Sequence, residues 1–190
     1  MSQGRLFVVA GPSGAGKGTL IAELLKRYDT AWLSISSTTR KPRRGEVEGS
    51  QYHFLDEDDF KASARKGEFL EWAEVHGNLY GTPRARVEEK LAQGKDVILE
   101  IDVQGARQVR EKMPHAVSIF VLPPSLQVLE ERLRERGTEG EEELRRRLEN
   151  ARRESRHKED YEYVVVNGQL HRAVEEFCGI YEKESPLPRR

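Results

Sequence analysis

Short apolar runs alternate along the chain with stretches whose apolar residues recur at helical spacing, a rhythm that predicts a parallel sheet flanked by helices. The runs are Leu6–Ala10, Trp32–Ser36, Val97–Ile101, Val117–Leu122 and Tyr163–Val166. After the first run, Leu20, Ile21, Leu24, Leu25 and Tyr28 fall on one face of a helix. Ser125 follows Pro123-Pro124 and can cap a helix bearing Leu126, Leu129 and Leu133. The pattern Thr138-x-x-Glu141 predicts a capping box for the next helix, which carries Leu144 and Leu148. Pro186 and Pro188 stop any helix running into the tail, which is expected to fray. Residues 38–92 break the rhythm: they are rich in glycine and charge and hold most of the aromatics, which predicts an inserted lobe.

Composition narrows the classes. With 190 residues the chain can build one sizeable core carrying small lobes. Its 32 basic and 33 acidic residues leave a net charge of −1, so no global field attracts nucleic acid or an anionic membrane, and anion binding must be local. No apolar run approaches the roughly 20 residues that span a bilayer. The five apolar residues near the start are too few for a secretory signal. Cys178 is the only cysteine, which excludes an internal disulfide and any multi-cysteine metal site. Its place in the pattern Val174-Phe177-Cys178-Tyr181 reads as core filling. The histidines (53, 76, 115, 157 and 171) include no i, i+4 pair for a helical metal grip. A reducing, cytoplasmic setting is expected.

The strongest chemical signal is Gly11-Pro12-Ser13-Gly14-Ala15-Gly16-Lys17-Gly18-Thr19, set between an apolar strand and an amphipathic helix. Such a loop turns successive N–H groups inward, the helix N-terminus adds partial positive charge, and Lys17 can reach the β- and γ-phosphates of ATP. Gly18 stands where a Ser or Thr hydroxyl commonly ligates Mg2+, which leaves no certain protein ligand for the metal. The ion is then held mainly by nucleotide phosphates and water.

Further on, Arg40 and Arg43 flank a proline, so two guanidinium forks can close on one phosphate, although a basic surface loop has the same look. Glu71, between Leu70 and Trp72, is costly to bury without a donor partner. A guanine edge offers two such donors, but a carboxylate in this setting is more often a solvated charge at a strand or helix edge. Asp102 ends an apolar strand, where open α/β sheets bind ligands, and it can also serve simple turn chemistry.

The ordered set Ser-Ser-Thr-Thr-Arg-x-Pro-Arg-x-Gly-Glu, Tyr52, Phe69-Leu70-Glu71-Trp72, Tyr80-Gly81-Thr82, Ile101-Asp102-Val103-Gln104-Gly105 and Arg132-Leu133-x-x-Arg136-Gly137-Thr138 resembles guanylate kinases. The match runs from Leu6 to about Asn167, with one small departure at Glu100, where the family usually has aspartate. The resemblance implies that Arg40, Arg43, Tyr52 and Tyr80 hold the GMP phosphate. It implies that Ser36, Glu71 and Thr82 read the guanine edge, with Asp102 near the base or a metal-bound water. It also implies that Arg132, Arg136 and Arg147 belong to a lid closing over the ATP phosphates. Most other arginines between 125 and 158 are matched by glutamates at i, i+4 spacing and read as a salt-bridged surface.

The resulting expectation is an α/β fold of the P-loop NTPase type, three-layered, with a parallel-sheet core. Core segments fall at 1–37, 93–124 and 156–190, a GMP-binding lobe at 38–92 and a lid at 125–155. The expected reaction is Mg2+-dependent transfer of the ATP γ-phosphoryl to GMP, with small-molecule partners only and the oligomeric state open. Two rivals share parts of this pattern. Guanylate-kinase-like scaffold domains usually lack a working phosphate loop, and kinases for other acceptors would lack the guanine-reading Ser36 and Glu71.

Overall fold

The computed structural model describes residues 3–75, 77–135 and 140–186. Along the chain run β1 (Leu6–Ala10), α1 (Lys17–Arg27), β2 (Ala31–Leu33), β3 (Ser37–Thr38), β4 (His53–Phe54) and α2 (Glu57–Arg65). Next come β5 (Phe69–Val75), β6 (Asn78–Pro83), α3 (Arg84–Ala92), β7 (Asp96–Glu100), α4 (Val103–Lys112) and β8 (Val117–Leu122). The remainder is α5 (Leu126–Glu135), α6 (Glu141–Glu154), a 3-10 segment (Ser155–Asp160), β9 (Tyr163–Val166) and α7 (Leu170–Glu184).

Five strands form one parallel sheet in the order β2-β7-β1-β8-β9. Alternate side chains leave opposite faces of a strand, and β1 divides accordingly. Phe7 and Val9 pack with Leu20, Ile21 and Leu24 of α1 and with Val174 and Phe177 of α7. Leu6 and Val8 pack with Val87 and Leu91 of α3 and with Ala106 and Val109 of α4. Helices therefore cover both faces, giving the three layers of a P-loop fold. Cys178 is buried in the first cluster, as its pattern predicts, and burial pushes its thiol pKa up.

Three of the five apolar runs coincide with strands to the residue; two differ for physical reasons. The run Trp32–Ser36 yields only Ala31–Leu33 as strand. The Ser34 N–H still bonds the Ile98 carbonyl, after which the chain leaves toward β3. The strand at Val97–Ile101 begins one residue earlier, at Asp96. That carboxylate is fully buried and accepts from the Arg5 N–H and the Ser185 hydroxyl, a pairing that no apolar pattern can reveal.

A smaller sheet, ordered β4-β3-β6-β5, lies within the stretch that breaks the rhythm. Its hairpin β5–β6 sets Glu71 opposite Thr82. At the far side of the core, α5 and α6 share a small apolar cluster of Leu129, Leu133, Leu144 and Ala151. Ser125 caps α5 as expected, its Oγ accepting from the Val128 N–H at 3.1 Å. The expected capping box is corrected: α6 starts at Glu141 with Gly140 as its N-cap, so Glu141 is the first helical residue and not the third. Thr138 itself lies outside the described residues. Three glutamates in the first turn of α6 still suit the positive end of that helix.

Candidate functional site

The loop after β1 folds back on itself to begin α1 at Lys17. Gly16 is its N-cap, in the left-handed region with φ of 92°, which favours glycine. Lys17 Nζ donates to the carbonyls of Gly11 at 2.7 Å and Pro12 at 3.3 Å, so the ammonium lies directly over the loop. A Cβ at Gly18 would stand 3.5 Å from a Glu100 carboxylate oxygen. The position that lacks a hydroxyl thus faces an acidic side chain at the end of β7. Among the described residues no cluster of three His, Cys, Asp or Glu could hold a metal alone.

A single cavity of about 610 Å³ joins this loop to the smaller sheet. Its wall includes Lys17 and Thr19 on one side, Ser36, Arg43, Tyr52, Glu71 and Tyr80 on the other, and Asp102 between them. Arg147 and Glu154 approach from α6. Burial pushes up the Glu154 carboxyl, against the opposing pull of Lys17.

Glu71 is only 3% exposed. Burial raises its pKa to about 7, even though the Thr82 hydroxyl, donating to Oε1 at 2.5 Å, favours the carboxylate. The first turn of α4 presses on the same group. A Cβ at Gly105 would come within 2.3 Å of Glu71 Oε2, so any larger residue there would displace the Glu71 carboxylate. Thr82 is fully buried and its hydroxyl is spent on Glu71. Asp102 serves the turn chemistry its position allows and also faces the cavity. It caps α4 by accepting from the Gly105 N–H at 2.9 Å.

The basic loop is organised by a residue to which the sequence motif assigns no role. Glu46 accepts from Arg40 Nη2 at 2.8 Å and from the Arg43 N–H at 2.7 Å. Arg40 also lies 5.4 Å from the centre of the Tyr52 ring, and the rings of Tyr52 and Tyr80 meet edge to face at 5.8 Å. Arg43 presents its side chain to the cavity. The available signal for Glu46 was its spacing from Arg40, six residues across a proline-containing turn.

Of the arginines expected in a lid, Arg147 reaches Ser13 Oγ of the glycine-rich loop at 3.5 Å and Glu143 at 3.2 Å. Arg132 Nη2 donates to the Asn167 carbonyl at 2.8 Å, while its Nη1 is buried without a hydrogen-bond partner among the described residues. Arg136 lies outside the described residues. Arg134 pairs with Glu130, as the i, i+4 spacing predicts, and also with Glu141 seven residues on. Asn167, absent from the sequence-derived site, proves to be bound to both Arg132 and the phosphate loop.

A parallel sheet with a glycine-rich loop at one strand end, two flanking lobes and one cavity between them defines a P-loop phosphotransferase. Comparison with known proteins gives the particular family. The guanylate kinase family model matches residues 3–184. Guanylate kinase of Carboxydothermus hydrogenoformans is 48% identical over 190 residues, covering 100% of this chain and 93% of the relative. That of Dechloromonas aromatica is 51% identical over 177 residues, covering 93% and 88%. The crystal structure of guanylate kinase from Anaplasma phagocytophilum superposes with a TM-score of 0.78 at 38% identity, covering 100% of this chain and 90% of that one. The chain belongs to the guanylate kinase family.

Proposed function

We propose that this protein transfers the γ-phosphoryl group of ATP to GMP, giving ADP and GDP for purine nucleotide metabolism. The observation that carries the reading is the single cavity between Lys17 and Glu71. It sets a phosphate-binding loop against a buried acceptor-only carboxylate. GMP offers the matching pair of donors, N1–H and N2–H₂, on its Watson–Crick edge.

In this reading the loop from Gly11 to Thr19 cradles the ATP phosphates. Arg43, Arg40, Tyr52 and Tyr80 hold the GMP phosphate, with Glu46 keeping Arg40 in place until the phosphate arrives. Glu71 accepts from guanine, Thr82 holds Glu71 in register, and the Ser36 hydroxyl is available to O6. The attacking GMP oxygen is already ionised at pH 7, so no general base is required. Lys17, Arg132, Arg136 and Arg147 offset the charge that develops on the transferring group, and lid closure excludes water. Alignment by the two lobes does the remaining work.

Mg2+ fits this donor set, because Glu100 and Asp102 bring hard oxygen ligands to the cavity while Gly18 brings none. Bound with ATP, the ion would neutralise β- and γ-phosphate charge. Glu100 and Asp102 would orient its water shell. Small nucleotides are the partners in this reading, with no nucleic acid or membrane surface, and the location is cytoplasmic. No helix among the described residues is long and apolar enough to cross a membrane. A panel of GMP, IMP, AMP, CMP and UMP with ATP and Mg2+ tests the proposal. GMP should dominate, and an equal or better rate with any other acceptor would refute it.

A further inference from the structure

A phosphate loop turns N–H groups inward, so its carbonyls point outward and need donors of their own. Lys17 serves Gly11 and Pro12. Leu20 N–H serves Gly16 at 3.2 Å. The Ala15 carbonyl is served from 152 positions away, by Asn167 Nδ2 at 2.9 Å. Asn167 follows β9 and is 4% exposed. Its own N–H donates to the Leu122 carbonyl at 2.8 Å, which anchors it to β8. Its carbonyl accepts from Arg132 Nη2 at 2.8 Å. The contact with the loop is tight, since a Cβ at Gly16 would stand 2.2 Å from Asn167 Nδ2. One residue thus holds the loop with its side chain and Arg132 with its main chain.

We propose that Asn167 is a positioning residue for phosphoryl transfer, which sets the phosphate loop and Arg132 in one frame. The inference rests on ATP binding at the loop, as argued above. When Lys17 turns toward nucleotide phosphates it leaves the Gly11 and Pro12 carbonyls, of which Pro12 keeps the Ala15 N–H, and the Ala15–Asn167 bond remains as a side-chain tether of the loop beside the Arg147–Ser13 contact. Arg132 donates to Asn167 through Nη2, which leaves Nη1, buried and unpartnered among the described residues, as the donor for a phosphate oxygen. The direction of that donor is set by the same asparagine that fixes the loop.

The test compares Asn167→Ala and Asn167→Asp with the wild-type protein, measuring dissociation constants for ATP and GMP, kcat and thermal stability. Removing the donor leaves the buried Ala15 carbonyl unpaired, so Asn167→Ala should weaken ATP about tenfold or more. Its kcat should fall, and its GMP affinity should stay within about twofold of wild type. Asn167→Asp keeps the shape but sets a carboxylate against a carbonyl, and protonation restores an O–H donor. Its ATP affinity, relative to wild type at the same pH, should therefore recover as the pH falls from about 8 to about 5.5. Unchanged ATP binding in Asn167→Ala would overturn the proposal. So would ATP and GMP affinities that decline together with stability and show no recovery in Asn167→Asp. Wild-type turnover of GMP is the separate control: its failure would defeat the functional reading, whereas normal wild-type turnover with indifferent variants defeats only the role of Asn167.

Discussion

The glycine-rich loop and the pocket around Glu71 face one cavity, yet they are built on opposite principles. The loop is made of backbone, and its outward carbonyls are met by Lys17, Leu20 and Asn167. The pocket is made of side chains, and at its centre is a carboxylate whose burial raises its pKa to about 7. A backbone site is cheap to keep formed and indifferent to what the phosphate carries. A buried side-chain site is held at a cost in stability, and the same cost makes it selective. In the proposed reaction, discrimination would therefore fall to the pocket and rate to the loop.

The largest effect expected from this division is base selectivity. Glu71 can accept but not donate while ionised, and adenine presents a lone pair at N1 and no amine at C2. A site of buried polar groups rejects an analogue that leaves them unpaired by about 10⁴–10⁵ in kcat/KM. GMP should exceed AMP by that factor, with IMP between them. AMP turnover within about tenfold of GMP would erase the distinction between pocket and loop.

Next comes Lys17→Met, which in the proposed reaction removes a charge directed at the transferring phosphoryl group and nothing that touches the base. The expected loss is about 10²–10³ in kcat, with GMP affinity nearly unchanged. More than about a tenth of wild-type kcat remaining would show that the loop is not the catalytic half. A smaller effect sharpens the other side. Thr82→Val deletes the hydroxyl that donates to Glu71 Oε1. The variant should bind GMP about tenfold more weakly at pH 7 and regain affinity at higher pH, because the carboxyl titrates later without its donor. Weakening that is the same at every pH would mean that Thr82 acts through packing alone.

The two halves were also unequally visible in the amino-acid sequence. The loop was readable from beginning to end, because its chemistry depends on local glycines and a lysine between a strand and a helix. In the pocket, Arg40, Arg43 and Glu71 stood out as residue types, but each also admitted a solvated reading. The strands β3 and β4 hold two residues each, too few for any periodicity to show. Glu46 and Asn167 were missed because hydrogen-bond geometry gives them their work, and polar identity alone does not show it. Asn167 meets Ala15 only after the sheet has brought β9 beside β8 and β8 beside β1. For Arg132 and Arg134 the i, i+4 rule was sufficient on the outer face alone. Glu130 and Glu141 take up Arg134, while Arg132 turns inward to Asn167.

A last expected effect is on stability rather than on activity, and it measures the cost of holding the pocket. The Glu71 pKa is raised from an ordinary value near 4.5 to about 7 in the folded protein. Between those values the folded state binds more protons than the unfolded chain, so this group makes stability fall as pH rises. Below about pH 4.5 the carboxyl is neutral in both states and its burial carries no charge penalty. Above about pH 7 it is ionised in both, and the full penalty, on the order of 3 kcal/mol, is present. Glu71→Gln removes the ionisation while keeping the shape. The ligand-free variant should therefore melt higher than wild type at pH 8, by several degrees, with the gap closing toward pH 5. Lys17→Met should show no such divergence from wild type across the same range. Parallel melting profiles for wild type and Glu71→Gln would mean that the carboxylate is held without cost, and the contrast between loop and pocket would lose its energetic basis.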